Sequence, residues 1–162
     1  MKESAATPGD QAPVAALLLP LQGLNLVVAQ AAVGEVIAAP EAEPVPGSPD
    51  WVTGMFAWRG EQLPLISLER LLGRKPAKAR SRSRAVVLYG LGGFRGVDYY
   101  GIEVDGIPHP VLLRREMVED LGEEIRQAGM SVGRAVVVGG QPGMIPDLVA
   151  IEQALSDWLV RA

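Results

Sequence analysis

Cysteine is absent from the chain and histidine occurs once. The first absence excludes disulfides and thiolate metal sites, so nothing points to an oxidising compartment. The second leaves His109 without a companion for a metal site. Held between Pro108 and Pro110, it reads as an exposed loop residue. No Gly-x-Ser-x-Gly elbow surrounds any serine. Net positive charge is lacking too: 15 cations stand against 19 acids, the wrong balance for a dedicated nucleic-acid surface. Aromatics make up only 5% of the residues, yet a hydrophobic content of 48% describes a folded globule rather than a disordered chain.

An uninterrupted apolar run is missing as well. Residues 14–34, VAALLLPLQGLNLVVAQAAVG, carry no charge and approach the about 20 residues of a membrane span. Pro20, Gln22, Gly23, Asn25 and Gln30 break the segment, each costly in hydrocarbon, and no membrane insertion is expected. Gln22-Gly23 is instead a turn signal between two apolar runs, which predicts a buried hairpin near 14–20 and 24–28. Residues 1–13, MKESAATPGDQAP, lack the charged-then-apolar order of a secretory signal and read as a flexible tail. Residues 14–162 are expected to form one domain.

What the chain does have is turn formers, with 19 glycines and 13 prolines favouring short strands over a helical bundle. After the hairpin, 29–37 is short and helix-compatible. Pro40, Pro44, Pro46 and Pro49 then impose an extended connector. Strands are expected at 51–58 and 63–67 around a tight turn at Gly60, followed by a helical turn at 68–72. Further strands fall at 85–90 and 97–107. In the latter, Ile102 and Val104 face inward while Glu103 and Asp105 face out. Between these two strands YGLGGFRG lacks the Gly-Lys-Ser/Thr ending of a phosphate loop and is a hairpin turn. Leu113, Met117, Leu121 and Ile125, four apart, predict an amphipathic helix over 112–129. A buried strand at 134–140, a short one in GMIPDL and a closing helix over 149–162 complete the chain.

The sequence echoes itself. Aligning Gly60 with Gly140 also aligns Leu65 with Ile145, Leu68 with Leu148 and Leu71 with Ile151. Two copies of strand, turn, strand and helical turn imply two similar small barrels sharing a core. Two features stand outside this frame. The loop 73–84 holds Arg74, Lys75, Lys78, Arg80, Arg82 and Arg84 and no acid, leaving 9 cations against 19 acids elsewhere. That polarity would steer an acidic partner, but no aromatics are interleaved to stack bases. The second is WVTGMFAWRG, where Trp51, Met55, Phe56 and Trp58 crowd around Arg59. One thin strand cannot bury all of these, and aromatics beside arginine are what protein interfaces concentrate.

Glu35-Val36-Ile37, then Pro44-Val45-Pro46-Gly47, Gly54, Arg59-Gly60, Pro64 and Leu68 resemble, in order and spacing, the CheW-like domain of bacterial chemotaxis adaptors. Tyr100 to Gly106 and Gly133 to Leu148 resemble later segments of the same family, so the likeness runs from about residue 14 to 156. Departures are Ala57-Trp58 where the family usually has Asn-Leu, and Ser67 where it usually has Asp, as in a divergent member. The resemblance implies an all-β fold of two interlocked five-stranded SH3-like barrels with short helices, including one at the C-terminus. It implies a scaffold without catalysis or cofactor, cytoplasmic and associated with inner-membrane signalling arrays. Its partners would be the cytoplasmic tips of methyl-accepting chemoreceptors and the regulatory domain of a CheA-type histidine kinase, in chemotaxis or type IV pilus motility. Carried over by position, the receptor groove would involve Val33, Glu35, Gly54 and Arg59, with Phe56 or Trp58 as an apolar wall. Two rivals stay open: a small ligand-binding barrel or enzyme using the Glu103 and Asp105 face, and a nucleic-acid module led by the 73–84 loop.

Overall fold

The uncharged stretch 14–34 folds as it does because the middle of its hairpin is buried from both sides. In the computed structural model, which describes residues 12–75, 83–127 and 129–162, β1 (Val14–Leu21) and β2 (Leu24–Ala29) form an antiparallel hairpin closed at Leu21 and Leu24. Leu17, Leu19, Leu21, Leu26 and Val28 point into one apolar cluster, and Ala16 and Val27 into another. Alternate residues therefore serve different cores, which removes the polar half of the usual strand pattern.

The remaining strands are β3 (Val33–Ala38), β4 (Val52–Trp58), β5 (Glu61–Ile66), β6 (Arg84–Tyr89), β7 (Tyr99–Val104), β8 (His109–Leu113), β9 (Val118–Gln127), β10 (Met130–Val138) and β11 (Gln141–Pro146). Helix α1 (Leu68–Leu71) follows β5, and α2 (Leu148–Arg161) follows β11. One sheet has the order β8-β1-β2-β11-β10-β9 and the other β3-β6-β7-β5-β4. The first sheet thus takes strands from both ends of the chain, while the second is built from the continuous run of β3 to β7 in its middle. Each sheet encloses its own apolar cluster: Ala16, Val27, Val136 and Val138 in the first, Phe56, Leu63, Leu65, Ala85 and Val87 in the second. A larger core, including Leu19, Leu26, Trp51, Ile66, Leu88, Tyr100, Ile102, Met144, Ile151 and Leu155, lies between them.

This is the all-β, two-barrel architecture expected, with one difference: β9 adds a sixth strand to the first sheet. That strand replaces the helix expected over 112–129, where a short 3-10 turn, Arg115–Met117, precedes β9. Two physical reasons defeat the helix. Gly122 adopts a φ of 73°, incompatible with a helical interior, and its N–H is taken by the Asp120 side chain. The four-residue spacing also finds no surface to bury it, since Leu121 remains 47% exposed, whereas β10 offers a ladder along its whole length. The helix-compatible 29–37 segment likewise keeps only a 3-10 turn, Gln30–Ala32, because Val33 to Ile37 pair with β6. Of the basic loop, Lys78, Arg80 and Arg82 lie outside the described residues, as does most of the tail over 1–13.

The internal echo is structural. Arg59 and Gly60 join β4 to β5 with φ of 48° and 78°, and Gly139 and Gly140 join β10 to β11 with 56° and 78°. Positive φ at both central residues is what a two-residue type I′ hairpin requires. Ser67 then caps α1 through the Arg70 N–H at 3.2 Å, and Asp147 caps α2 through the Ala150 N–H at 3.0 Å. β5 runs parallel to β7, and β11 parallel to β2.

Each helix also grips the opposite half. The buried Glu69 of α1 accepts the Gln22 N–H at 3.1 Å in the β1–β2 turn, whose carbonyl takes a bond from Arg74 at 2.8 Å. Glu152 of α2, fully buried, accepts the Gly92 N–H at 2.8 Å in the β6–β7 loop and the Tyr100 hydroxyl at 2.9 Å. Burial, and then the adjacent Glu152 carboxylate, push the Tyr100 phenol far above its ordinary value, so it stays a neutral donor. Glu152→Leu strands both donors and is expected to cost roughly 3 kcal/mol in urea unfolding. Adding Tyr100→Phe, which removes one stranded group, should recover about 1 kcal/mol of that loss.

Candidate functional site

Strand alternation places Tyr99, Gly101 and Glu103 of β7 on one face, toward the interior of the second barrel. Gly101 is required there, because a Cβ would sit 2.8 Å from the Phe56 ring. Phe56 fills the middle of the barrel at 1% exposure. Tyr99 and Glu103 therefore belong to opposite ends of the same filled barrel.

At the Tyr99 end, Trp58 closes β4 with its ring 5.0 Å from that of Tyr99, and Tyr99 lies 5.4 Å from Tyr89, the residue opposite it on β6. The tilted contacts are typical of aromatic pairs. The Trp58 Nε1–H donates to Glu35 on β3 at 2.7 Å. Arg59 stacks over the Trp58 ring at 4.8 Å and reaches the same Glu35 oxygen at 3.6 Å. Its side chain remains 68% exposed, so most of its donors face solvent. Among the described residues Arg59 is the one non-glycine residue with positive φ, a conformation costing an L-residue about 1 kcal/mol.

Of the residues singled out in the sequence, Glu35, Trp58 and Arg59 come together. Val33 is half-buried against the central core. Gly54 is covered by the proline-rich connector: Glu43 and Met55 exchange backbone hydrogen bonds of 2.8 and 2.9 Å across the β4 edge. A Cβ on Gly54 would collide with the Glu43 carbonyl. Phe56 lies beneath the cluster, and Trp51 is in the central core. Sequence reasoning missed Tyr89 and Tyr99, whose one signal was an aromatic at each end of the β6–β7 turn.

At the other end, Glu103 does not face solvent as expected but turns half-buried into the barrel mouth, beside Leu65, Arg70 and Asp105. Burial raises its carboxyl above the ordinary value, opposed by Thr53 and Arg70, while Glu69 adds to the rise. The buried Thr53 hydroxyl faces it without making a hydrogen bond of full geometry. Among the described residues no group of His, Asp and Glu converges as metal ligands, and no helix is long and apolar enough to cross a membrane.

Interlocked sheets, paired hairpin-and-helix units and a connector laid on β4 define a CheW-type scaffold fold. Residues 15–155 match the CheW-like domain family model, and the chain belongs to that family of non-catalytic scaffold proteins. The crystal structure of the scaffolding protein TtCheW from Thermoanaerobacter tengcongensis superposes with a TM-score of 0.67, covering 83% of this chain and 89% of that one. At 18% identity that likeness concerns the fold. No curated protein matches this chain by sequence.

Two outcomes follow from the two barrel ends. Trp58→Phe and Glu35→Ala should each destabilise by about 1 kcal/mol, and the double variant by less than their sum, because both remove the same Trp58–Glu35 bond. A carboxyl whose folded pKa lies above its unfolded one favours folding below the unfolded value, and that contribution is lost as pH rises through the folded one. Glu103→Gln is therefore expected to raise the melting temperature at about pH 7 and to give no advantage below about pH 4.

Proposed function

We infer that this protein is an adaptor joining chemoreceptor cytoplasmic tips to a CheA-type histidine kinase, at the cytoplasmic face of inner-membrane signalling arrays, in chemotaxis or type IV pilus motility. Membership of the CheW-like family supports the adaptor role. The observation that carries the site is the contrast between Arg59 and Gly139. Both occupy the first position of equivalent left-handed turns, and glycine fits that backbone without strain. An arginine there serves the fold poorly, so its side chain has another use.

In this reading a receptor helix lies across the Trp58 end of the second barrel. Trp58, with Tyr99 behind it, supplies apolar area, and the Arg59 guanidinium, held over the indole and beside Glu35, donates to a polar group on the helix. Apolar burial gives affinity and the charge sets register. Val33 lies two residues before Glu35 on β3, while Gly54 and Phe56 support the patch from the connector and the barrel interior.

Arg59→Gly separates binding from folding, because it relieves the turn and removes an exposed ion pair and an exposed stacking contact, each of small worth. It should melt no lower than the parent and lose co-sedimentation with receptor tips by about tenfold or more, as should Arg59→Ala. Undiminished binding by both variants would overturn this assignment.

A further inference from the structure

The Glu103 end of the second barrel holds a cavity of about 230 Å³, lined among others by Leu65, Ser67, Arg70, Glu103 and Asp105. Glu69, Arg70, Arg84, Glu103 and Asp105 all line it, so both signs share the wall, and the Arg70 charge favours the ionised Glu103 carboxyl without forming an ion pair with it. Ion pairs among the described residues lie elsewhere, at Arg59–Glu35, Arg126–Glu124 and Arg134–Asp120, so Arg70 and Glu103 face a common space more than an ion pair's length apart. The Ser67 hydroxyl is occupied in capping α1 and Glu69 accepts the Gln22 N–H, while Arg70 makes one long bond of 3.5 Å to the Asp50 carbonyl and keeps further donors.

We propose that this cavity binds a small zwitterion, a free α-amino acid, with its ammonium group at Glu103 and its carboxylate at Arg70. A ligand of one sign would match one wall charge and leave the other desolvated and uncompensated, which is costly. A ligand with both signs a few bonds apart bridges the gap. The volume falls below that of pockets for drug-sized molecules and suits a compact solute. Leu65 at the floor offers an apolar contact for the side chain. The half-buried Glu103 carboxyl, disfavoured in its charged form when the cavity is empty, gains a counter-ion when the ammonium enters. Nothing in this depends on the Trp58 end or on the adaptor reading. The site would add small-molecule binding to a scaffold.

Calorimetric titration of the full chain with each of the common amino acids tests the proposal, with putrescine and propionate as single-sign probes. At least one amino acid is expected to bind with Kd between about 10 µM and 1 mM. That affinity should weaken about tenfold or more in both Glu103→Gln and Arg70→Gln. Melting curves of the two variants show that each is folded. No detectable binding by any amino acid at about 10 mM overturns the proposal. So does equal or tighter binding of putrescine or propionate, or undiminished affinity in either variant.

Discussion

The two barrels cannot be treated as separate folding units, because the largest apolar core lies between them and each helix reaches across it. Glu152 places a buried carboxylate of the C-terminal helix against a loop N–H and a tyrosine hydroxyl of the second barrel. Glu69 does the converse, from the second barrel's helix to the first hairpin turn. A buried carboxylate is tolerated only where its acceptors are filled, so these contacts fix how the halves sit together. Strand order closes the first barrel across the chain: β2 pairs with β11, which lies near the other end of the sequence.

The two halves fill the same kind of turn with different residues. Both halves need a left-handed two-residue turn between paired strands. The first barrel fills it with Gly139-Gly140, and the second accepts strain to place Arg59 there. Its neighbour Trp58 belongs partly to the barrel interior and partly to the surface, tied by its indole N–H to Glu35 and packed on Tyr99. A guanidinium stacked on a fixed indole is pre-oriented, which lowers the ordering cost of binding a partner. The barrel's other end is built differently, with carboxylate and guanidinium on one cavity wall and a half-buried acid that disfavours its own charge. One filled barrel thus carries two chemically distinct ends.

Much of this was legible before any coordinates. The hairpin at Gln22-Gly23, the proline-rich connector, the strands around Gly60 and the pairing of Gly60 with Gly140 all follow from local chemistry. The error over 112–129 has a definite source: four-residue apolar spacing in a segment whose neighbour, β10, competes for its backbone and whose Gly122 breaks the helical path. Glu103 was misplaced because period-2 alternation tells which residues share a face but not whether that face is solvent or a barrel mouth. For the site, Arg59 and Trp58 stood out by composition, and Glu35 through family resemblance. Tyr89 and Tyr99 did not, because their meeting with Trp58 depends on the order of strands in the sheet.

By itself the sequence determined the local features: where the chain turns, which runs are too apolar to face water, and which positions repeat. These rest on φ preferences, side-chain periodicity and residue size, all properties of short segments. Tertiary structure alone decided that Phe56 is interior while Trp58, two residues on, reaches the surface. It also decided that β9 is a strand and that Glu152 meets Tyr100. Those outcomes depend on which distant segment supplies the opposing surface or the hydrogen-bond partner, and no short stretch of residues carries that information.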